Sequence, residues 1–315
     1  MASFVKRTLQ FLAITLALYV AALFALSHIK ERGRAVVFRT GDYYHWPGGD
    51  TWQRFREYDP KVRQDVVIIG SSHAYRGYDP RVFTGRGLSA FNLGSSGQTP
   101  LNTLYLIEAF LDSSNTSLLV FDIYEGVLAA DGLESTSDLV QNQPNTKAAV
   151  GMTWSLQDLR GLNLITQRLV GDQGTPYYTS DEYLGLGFAP SQDSVKLPTK
   201  GTSAPVAFDP RQQAFFAQCL DLCQRKGIRT VVASHYARYN MQGSYHAPTR
   251  RFIDSTLAGR GIPYLDFTEV PGIDERNWFA DHNHLNATGA RIFTEQLADT
   301  LEALGCVQRR GIRQD

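Results

Sequence analysis

The sequence "DVVIIGSSHAYRGYDP", residues 65–80, begins as an apolar, β-branched run and breaks off at a glycine, two serines and a histidine. An apolar run without alternation is typical of a strand covered on both faces, which indicates a parallel sheet. Ser72 would then lie at the carboxyl end of a strand, where such folds expose side chains to a cleft. The stretch lacks the lysine and further glycine of a phosphate-binding P-loop, so it is either a plain polar turn or a nucleophile turn.

Four more apolar runs follow, and helical segments separate them. The runs are "SAFNL" (89–93), "SLLVFDI" (117–123), "IRTVVAS" (228–234) and "IPYLDF" (262–267). Residues 100–113, 209–227 and 286–305 have apolar residues at helical spacing or helix start and stop signals. Strands that alternate with helices predict a three-layer α/β/α domain of flavodoxin-like kind with a parallel sheet.

One interval interrupts this alternation and divides the chain. We predict an α/β domain made of residues 65–126 and 208–305, with an insertion at 127–207. The insertion contains one helix near 154–170 and loop-like sequence elsewhere, and it could act as a lid or an acceptor-binding subdomain. The remaining parts are an N-terminal membrane helix (1–30), an aromatic juxtamembrane connector (31–64) and a tail (306–315).

The N-terminus carries an uncharged run, "FLAITLALYVAALFALSHI", from Phe11 to Ile29. This length is close to the roughly 20 residues that cross a bilayer, and it exceeds the usual core of a signal peptide. A cleaved signal peptide remains the alternative, with a small-x-small site at residues 25–27. We expect an uncleaved single-pass anchor, with the rest of the chain outside the cytoplasm.

Composition limits the partners. Lys plus Arg and Asp plus Glu balance at 31 each, so no overall field favours nucleic acid. Cys219, Cys223 and Cys306 are too few for a disulfide framework and lack companions at metal-binding spacing, so we expect packing roles, no metal and no cofactor.

A candidate base and its orienting carboxylate precede the last helical segment, in "WFADHNHLNATGARIF", residues 278–293. A serine nucleophile needs a base to accept its proton, and the base needs a carboxylate to fix its tautomer. Asp281 and His284 can supply both from one turn. Alternatively, Asp281 only orders the turn, or His282 and His284 bind a metal, which would require a third ligand.

Two further sets of residues follow strands. Gly97 lies in "FNLGSSGQTPLNT" (91–103), where its amide could help to stabilise an oxyanion or could simply serve the turn. His235 follows the fourth strand and could contact an acceptor substrate, or it could be structural.

Together these motifs resemble the SGNH, or GDSL-type, hydrolase superfamily over residues 65–304, with the insertion outside the resemblance. The matching features are Gly-x-Ser after the first strand, Asn-x-Gly-x-x-Gly after the second, and Asp-x-x-His before the last helix. The resemblance implies ester chemistry with Ser72 as nucleophile, His284 as base and Asp281 as its partner. It also implies an oxyanion hole formed by the amides of Ser72 and Gly97.

The chain departs from the family pattern after the third strand. Many members have Gly-x-Asn-Asp there, whereas this chain has "VFDIYEGV" (120–127). Tyr124 or Glu125 would face the cleft as possible substrate contacts, and a carboxylate there would repel an oxyanion unless it is protonated or turned away.

The variant motifs, the anchor and the insertion are similar to a membrane-anchored branch that includes the D-alanyl-lipoteichoic-acid transfer protein D and the alginate O-acetylation proteins. This resemblance implies an extracytoplasmic esterase or O-acyltransferase for an acylated envelope polysaccharide, working beside a membrane-bound O-acyltransferase. Hydrolysis and transfer stay open, because the same triad serves both. A catalytically idle module that binds polysaccharide or a membrane partner is the alternative.

Overall fold

The computed structural model describes residues 1–31, 34–35, 47–171, 176, 183–194 and 203–309. Parts of the predicted connector (32–33, 36–46), insertion (172–175, 177–182, 195–202) and tail (310–315) lie outside the described residues. In chain order the elements are α1 (Ala2–His28), β1 (Lys30–Glu31), β2 (Arg34–Ala35), α2 (Gly49–Glu57), β3 (Gln64–Ile69), α3 (Ser72–Gly77), α4 (Pro80–Thr84), β4 (Ala90–Asn92), α5 (Pro100–Phe110), β5 (Thr116–Asp122), α6 (Glu125–Ala129), α7 (Leu133–Asn142), α8 (Thr146–Leu156), α9 (Leu159–Val170), α10 (Pro210–Arg225), β6 (Arg229–Ser234), α11 (Ala247–Leu257), β7 (Tyr264–Asp266), α12 (Glu275–Trp278) and α13 (Ala287–Ala303).

Strands β3 to β7 form a five-stranded parallel sheet in the order β4-β3-β5-β6-β7. All five strands predicted from the apolar runs are confirmed, and the order is that of flavodoxin-like folds. The direction in which strands are added reverses between β3 and β5. A crevice is expected at the carboxyl ends of these two strands.

Successive residues of β3 supply two separate cores, because side chains alternate between the faces of a sheet. Val67 and Ile69 join the core completed by α5 and α10, whereas Val66 and Ile68 join the core that includes α13. All four side chains are fully buried, each worth about 1.5–3 kcal/mol. Burial on both faces is the physical reason why the run "VVII" shows no polar alternation.

The insertion is more helical than the sequence predicts. The single helix expected near 154–170 is two helices, α8 and α9, because Gln157 ends α8 in the left-handed conformation at φ 55°. The polar segment "LESTSDLVQN" forms α7, which packs against α2, α8 and α9. Helix α8 in turn packs on α5, so the insertion contacts the α/β domain.

The later part of the insertion, residues 183–194, contacts α3, which begins with Ser72, and the start of α13, which follows His284. The Ala189 amide donates to the Tyr75 carbonyl of α3 at 3.0 Å. The Ala287 amide, at the start of α13, donates to the Ser191 carbonyl at 2.9 Å. This segment thus ties the first turn of α13 to α3.

The N-terminal helix α1 is long and apolar enough to cross a membrane, with a mean hydropathy of 2.3 over its most apolar window. Only 6% of that window is buried in the protein. Among the described elements, the helix contacts α9 and β2.

Candidate active site

Ser72 is the first residue of α3, directly after the turn that ends β3. Its neighbour Ser71 caps this helix, since the Ser71 hydroxyl accepts a hydrogen bond from the His73 amide at 3.1 Å. Ser71 is buried, whereas Ser72 is partly exposed. The two adjacent serines therefore differ in function: Ser71 stabilises the turn, and the Ser72 hydroxyl is presented at the carboxyl edge of the sheet.

The turn is closely packed against β5. A Cβ on Gly70 would lie 2.8 Å from the Asp122 Cβ, and Gly70 has a φ of 154° that side chains rarely adopt. The Asp122 carboxyl accepts a hydrogen bond from the Tyr78 hydroxyl at 2.7 Å, and burial raises its pKa to about 7. Glycine is thus required at residue 70 for both backbone conformation and space.

His284 lies between Ser72 and Asp281. Its Nδ1 is 2.8 Å from Asp281 Oδ2, and its Nε2 is 2.7 Å from Ser72 Oγ. When Nδ1–H donates to the carboxylate, Nε2 is left as the acceptor for the serine hydroxyl. Ser72 and His284 are 212 positions apart in the sequence, yet Ser72, His284 and Asp281 form one chain of hydrogen bonds.

Asp281 is held as a carboxylate. Burial alone would raise its pKa, but hydrogen bonds from the His284 ring and from the amides of Asn283 and His284 outweigh burial and hold the pKa well below its usual range. The Asp281 side chain remains 48% exposed and that of His284 19% exposed. The pair therefore sits at an open rim that a large substrate can reach.

Two backbone amides near Ser72 have no internal acceptor. Within the described residues, neither the Ser72 nor the Gly97 amide donates a hydrogen bond to another protein group. The Gly97 loop is held beside the nucleophile turn because the Ser95 amide donates to the Gly70 carbonyl at 3.1 Å. Unpaired amides of this kind can bind a developing oxyanion.

A carboxylate from the insertion lies next to Gly97. The Ser96 hydroxyl donates to Glu134 Oε1 at 2.6 Å, and a Cβ on Gly97 would lie 2.9 Å from Glu134 Oε2. No ion-pair partner of Glu134 is found among the described residues. The negative charge nearest the candidate oxyanion amide thus comes from α7, where no motif indicated it.

The expected position of Glu125 in the cleft requires correction. Glu125 is buried and its carboxylate pairs with His246 Nδ1. His246 Nε2 also lies 3.3 Å from Asp266 Oδ2. Burial lowers the His246 pKa, but the two carboxylates outweigh burial and raise it to about 9. Glu125 is therefore turned away from the cleft and balanced by a buried cation.

Tyr124 and His235 are also engaged inside the protein. The His73 ring stacks on Tyr124 at 3.6 Å on one side and on His235 at 4.2 Å on the other, and its edge meets His284 at 5.4 Å. His235 is buried, its Nδ1 donates to the Tyr236 carbonyl at 2.6 Å, and burial lowers its pKa to about 4. His235 is thus a neutral support behind His73 and not an exposed acceptor contact.

In the described part of the chain, no three His, Cys, Asp or Glu side chains are grouped so that they could hold a metal ion. His282 is the other histidine of the alternative metal pair. Its side chain is 78% exposed, and its Nδ1 comes no closer than 3.9 Å to Asp281 Oδ1. Cys219 and Cys223 are buried in the core, and Cys306 is a free thiol.

Sequence reasoning missed several residues around the site. His73 directly follows Ser72 in the opening stretch, and its position could have indicated a role. Asp122 ends an apolar run at the carboxyl edge, which is also a usable signal. Glu134 carries no local signal, because it is brought to Gly97 only by the packing of the insertion.

No protein-family profile matches the chain, and no curated protein matches it significantly. Among solved structures, the chain is similar to a G-D-S-L family lipolytic protein from Desulfitobacterium hafniense, with 12% identity and a TM-score of 0.41, covering 75% of this chain and 98% of that one. A lipase/acylhydrolase from Enterococcus faecalis shows 11% identity and a TM-score of 0.42 over 79% of this chain and 100% of that one.

A catalytic mutant of an acetylxylan esterase from Geobacillus stearothermophilus shows 12% identity and a TM-score of 0.42, again over 79% and 100% of the two chains. The chemistry of the site rests on its own geometry.

Proposed function

We propose that this chain is a membrane-anchored serine esterase or O-acyltransferase of SGNH type, which acts on acyl esters of a cell-envelope polysaccharide outside the cytoplasm. The observation that carries this proposal is the hydrogen-bonded chain from Ser72 through His284 to Asp281, with distances of 2.7 and 2.8 Å. This chain of hydrogen bonds lies at the carboxyl ends of β3 and β5, the edge at which folds of this topology bind ligands.

The reaction follows from this geometry. His284 Nε2 takes the Ser72 proton as Oγ attacks the ester carbonyl, and Asp281 stabilises the imidazolium that forms. The amides of Ser72 and Gly97 hold the oxyanion, a contribution of about 3–4 kcal/mol per donor. The carbon–oxygen bond then breaks, the leaving alcohol takes the proton from His284, and an acyl-Ser72 remains.

The second half of the reaction decides between hydrolysis and transfer. His284 removes a proton from water or from a polymer hydroxyl, whose oxygen attacks the acyl-Ser72 and releases the serine. The open rim around Asp281 and His284 and the anchor support a large acceptor at the membrane surface, with a membrane-bound O-acyltransferase as the source of acyl groups. Acyl transfer onto polysaccharide is the form that we favour.

Covalent labelling tests the proposal. The full chain in detergent is treated with a fluorophosphonate, which we expect to modify wild type but neither Ser72→Ala nor His284→Ala. Ser71→Ala is the matched control, because this neighbouring serine caps α3 and should leave labelling in place. Thermal unfolding checks that each variant folds. If folded wild type is not labelled, the idle binding module becomes the better description.

Unlabelled protein from the same preparation, shown by labelling of a separate sample to be reactive, next receives a chromogenic acyl ester with and without oligosaccharide acceptors. Mass spectrometry of the acceptor distinguishes transfer from hydrolysis. An acceptor that gains an acyl group in wild type but not in Ser72→Ala supports transfer, and release of free acid alone would restrict the protein to an esterase.

A further inference from the structure

Helix α9 of the insertion exposes an apolar stripe that no other described residue covers. Leu159, Leu162, Leu169 and Val170 are 83%, 42%, 59% and 40% exposed. At about 100° per residue they fall within roughly 100° of arc on one face of the helix. The packed face contains Gly161, Leu164 and Ile165, and Leu164 and Ile165 pack with Val140 and Ala149. Apolar residues concentrated on the outer face of a helix are unusual for a surface in contact with water alone.

The position of α9 relative to α1 indicates what covers this stripe. Helix α9 packs on α1, and the sheltered residues of α1 are Tyr19, Val20, Leu23 and Ser27. All four lie inside the apolar run that ends at Ile29. At 1.5 Å per residue these four residues lie about 3–15 Å from the end of that run, within the outer half of the hydrocarbon thickness of a bilayer.

We infer that α9 is an interfacial helix, which lies in the lipid headgroup and upper acyl region beside the anchor with its leucine stripe buried in lipid. A segment that packs on the membrane-level part of α1 must lie near the same depth, and both helices expose large apolar side chains. Amphipathic helices in the interface plane bury their apolar face about 5–10 Å deep. This inference rests on the proposed membrane anchoring of α1.

Lipid-borne quenchers test the depth of α9 in the full-length protein. Single cysteines replace Leu162 or Leu169 in a chain that also carries Cys306→Ser, and an environment-sensitive fluorophore is attached. Cys219 and Cys223 are fully buried and stay in place. The protein is reconstituted in phosphatidylcholine vesicles that contain lipids with a nitroxide on the upper acyl chain. The matched control is Leu304→Cys, at a 53% exposed position directly after the C-terminus of α13, a helix that packs with α3 and α4 on the other side of the sheet.

We expect quenching at residues 162 and 169 to be about threefold stronger than at residue 304, with a blue-shifted emission. Equal, weak quenching at all three positions would overturn the inference. Leu16→Cys on α1, 57% exposed, reports the anchor separately. If residue 16 is quenched and residues 162 and 169 are not, the anchor stands and the interfacial helix does not. If residue 16 is not quenched either, both are wrong.

A second copy of the chain is the competing occupant of the stripe. Disulfide crosslinking of the Leu162→Cys, Cys306→Ser chain between copies, together with absent lipid quenching, would assign the face to a dimer and reject the lipid contact. Dilution into excess lipid that leaves the quenching unchanged supports the bilayer.

Discussion

The two oxygens of Asp281 make different contacts. Oδ1 accepts the Asn283 and His284 amides at 2.9 Å, which shapes the turn, whereas Oδ2 faces the His284 ring. Asp281→Asn keeps an acceptor for the turn but removes the charge that stabilises the imidazolium and can favour the wrong tautomer. We expect kcat/KM to fall by about 10²–10⁴ with little change in stability. Steady-state kinetics on a chromogenic ester measures the change, and a fall below tenfold would contradict the proposed role.

Glu134 places a negative charge next to the Gly97 amide. This charge opposes an oxyanion, so Glu134→Gln should raise kcat/KM for a neutral ester by roughly fivefold, the effect of about 1 kcal/mol. The control is Glu108→Gln, an exposed carboxylate that pairs with Lys147 on α8. A loss of activity in Glu134→Gln would instead show that the hydrogen bond from Ser96 to Glu134 is needed to position the Gly97 loop.

Individual side chains were predictable from the sequence to different degrees. Ser72 lies in a motif at a strand end, Asp281 and His284 lie in a motif directly before the last helix, and the structure brings them together. The orientation of Glu125 was not predictable, because its partner His246 comes from a distant helix start. Glu134 reaches Gly97 through tertiary packing alone, which leaves no trace in the local sequence.

The charged group around His246 joins three elements: Glu125 begins α6, His246 precedes α11 and Asp266 ends β7. The His246 pKa is raised to about 9 in the folded chain, against about 6.5 when unfolded. Its contribution to stability is therefore fully present below pH 6.5 and is lost as pH rises through 9. The contribution is on the order of 3 kcal/mol.

Unfolding free energies of wild type and His246→Gln between pH 6 and pH 10 measure this contribution. We expect the advantage of wild type to shrink steadily over that interval. His282→Gln, at a 78% exposed position, should follow wild type throughout. A constant difference between wild type and His246→Gln would mean that the histidine acts through packing and not through its charge.

The turn between β3 and α3 depends on Gly70. Gly70→Ala adds a Cβ 2.8 Å from the Asp122 Cβ, an atom too close to the backbone to move freely. We expect a loss of about 2–4 kcal/mol and a matching loss of Ser72 labelling, because the turn that presents the hydroxyl must shift. Gly259→Ala is the control, with a positive φ of 76° but no atom within 4 Å, and should cost only about 1 kcal/mol.

Elements were predicted well where burial alone determines the pattern. The five strands are continuous apolar runs, since both faces of the sheet are covered. Helix α7 escaped prediction because most of its buried positions are polar, as in Asp138, whose Oδ2 accepts a hydrogen bond from Thr51 Oγ1 at 2.6 Å. Such a segment lacks the apolar period on which helix prediction depends.

At the scale of the whole molecule, the insertion connects the candidate site to the anchor. Its helix α7 carries Glu134 at the Gly97 loop and packs on α9, which packs on α1. The elements between the cleft and the membrane helix are therefore in direct contact. If α9 lies in the lipid interface, the cleft is held at a fixed height above the membrane.

This arrangement predicts how the chain behaves without its anchor. The two main cores contain no residue of α1, so a chain of residues 47–315 should fold and keep Ser72-dependent labelling. It should also bind phosphatidylcholine vesicles through the stripe on α9. Leu162→Glu together with Leu169→Glu should weaken that binding about 100-fold or more, because each buried leucine contributes about 1.5–3 kcal/mol.

Vesicle flotation measures the binding, and fluorophosphonate labelling confirms that both forms are folded. A truncated chain that stays in solution with the leucines intact, while it remains labelled, would show that α1 is the sole membrane contact. Binding that survives the two glutamates would assign the contact to another surface. If the truncated chain binds vesicles and the variant with both glutamates does not, while both are fully labelled, α9 is a second membrane contact. This contact would orient the cleft toward substrates at the membrane surface.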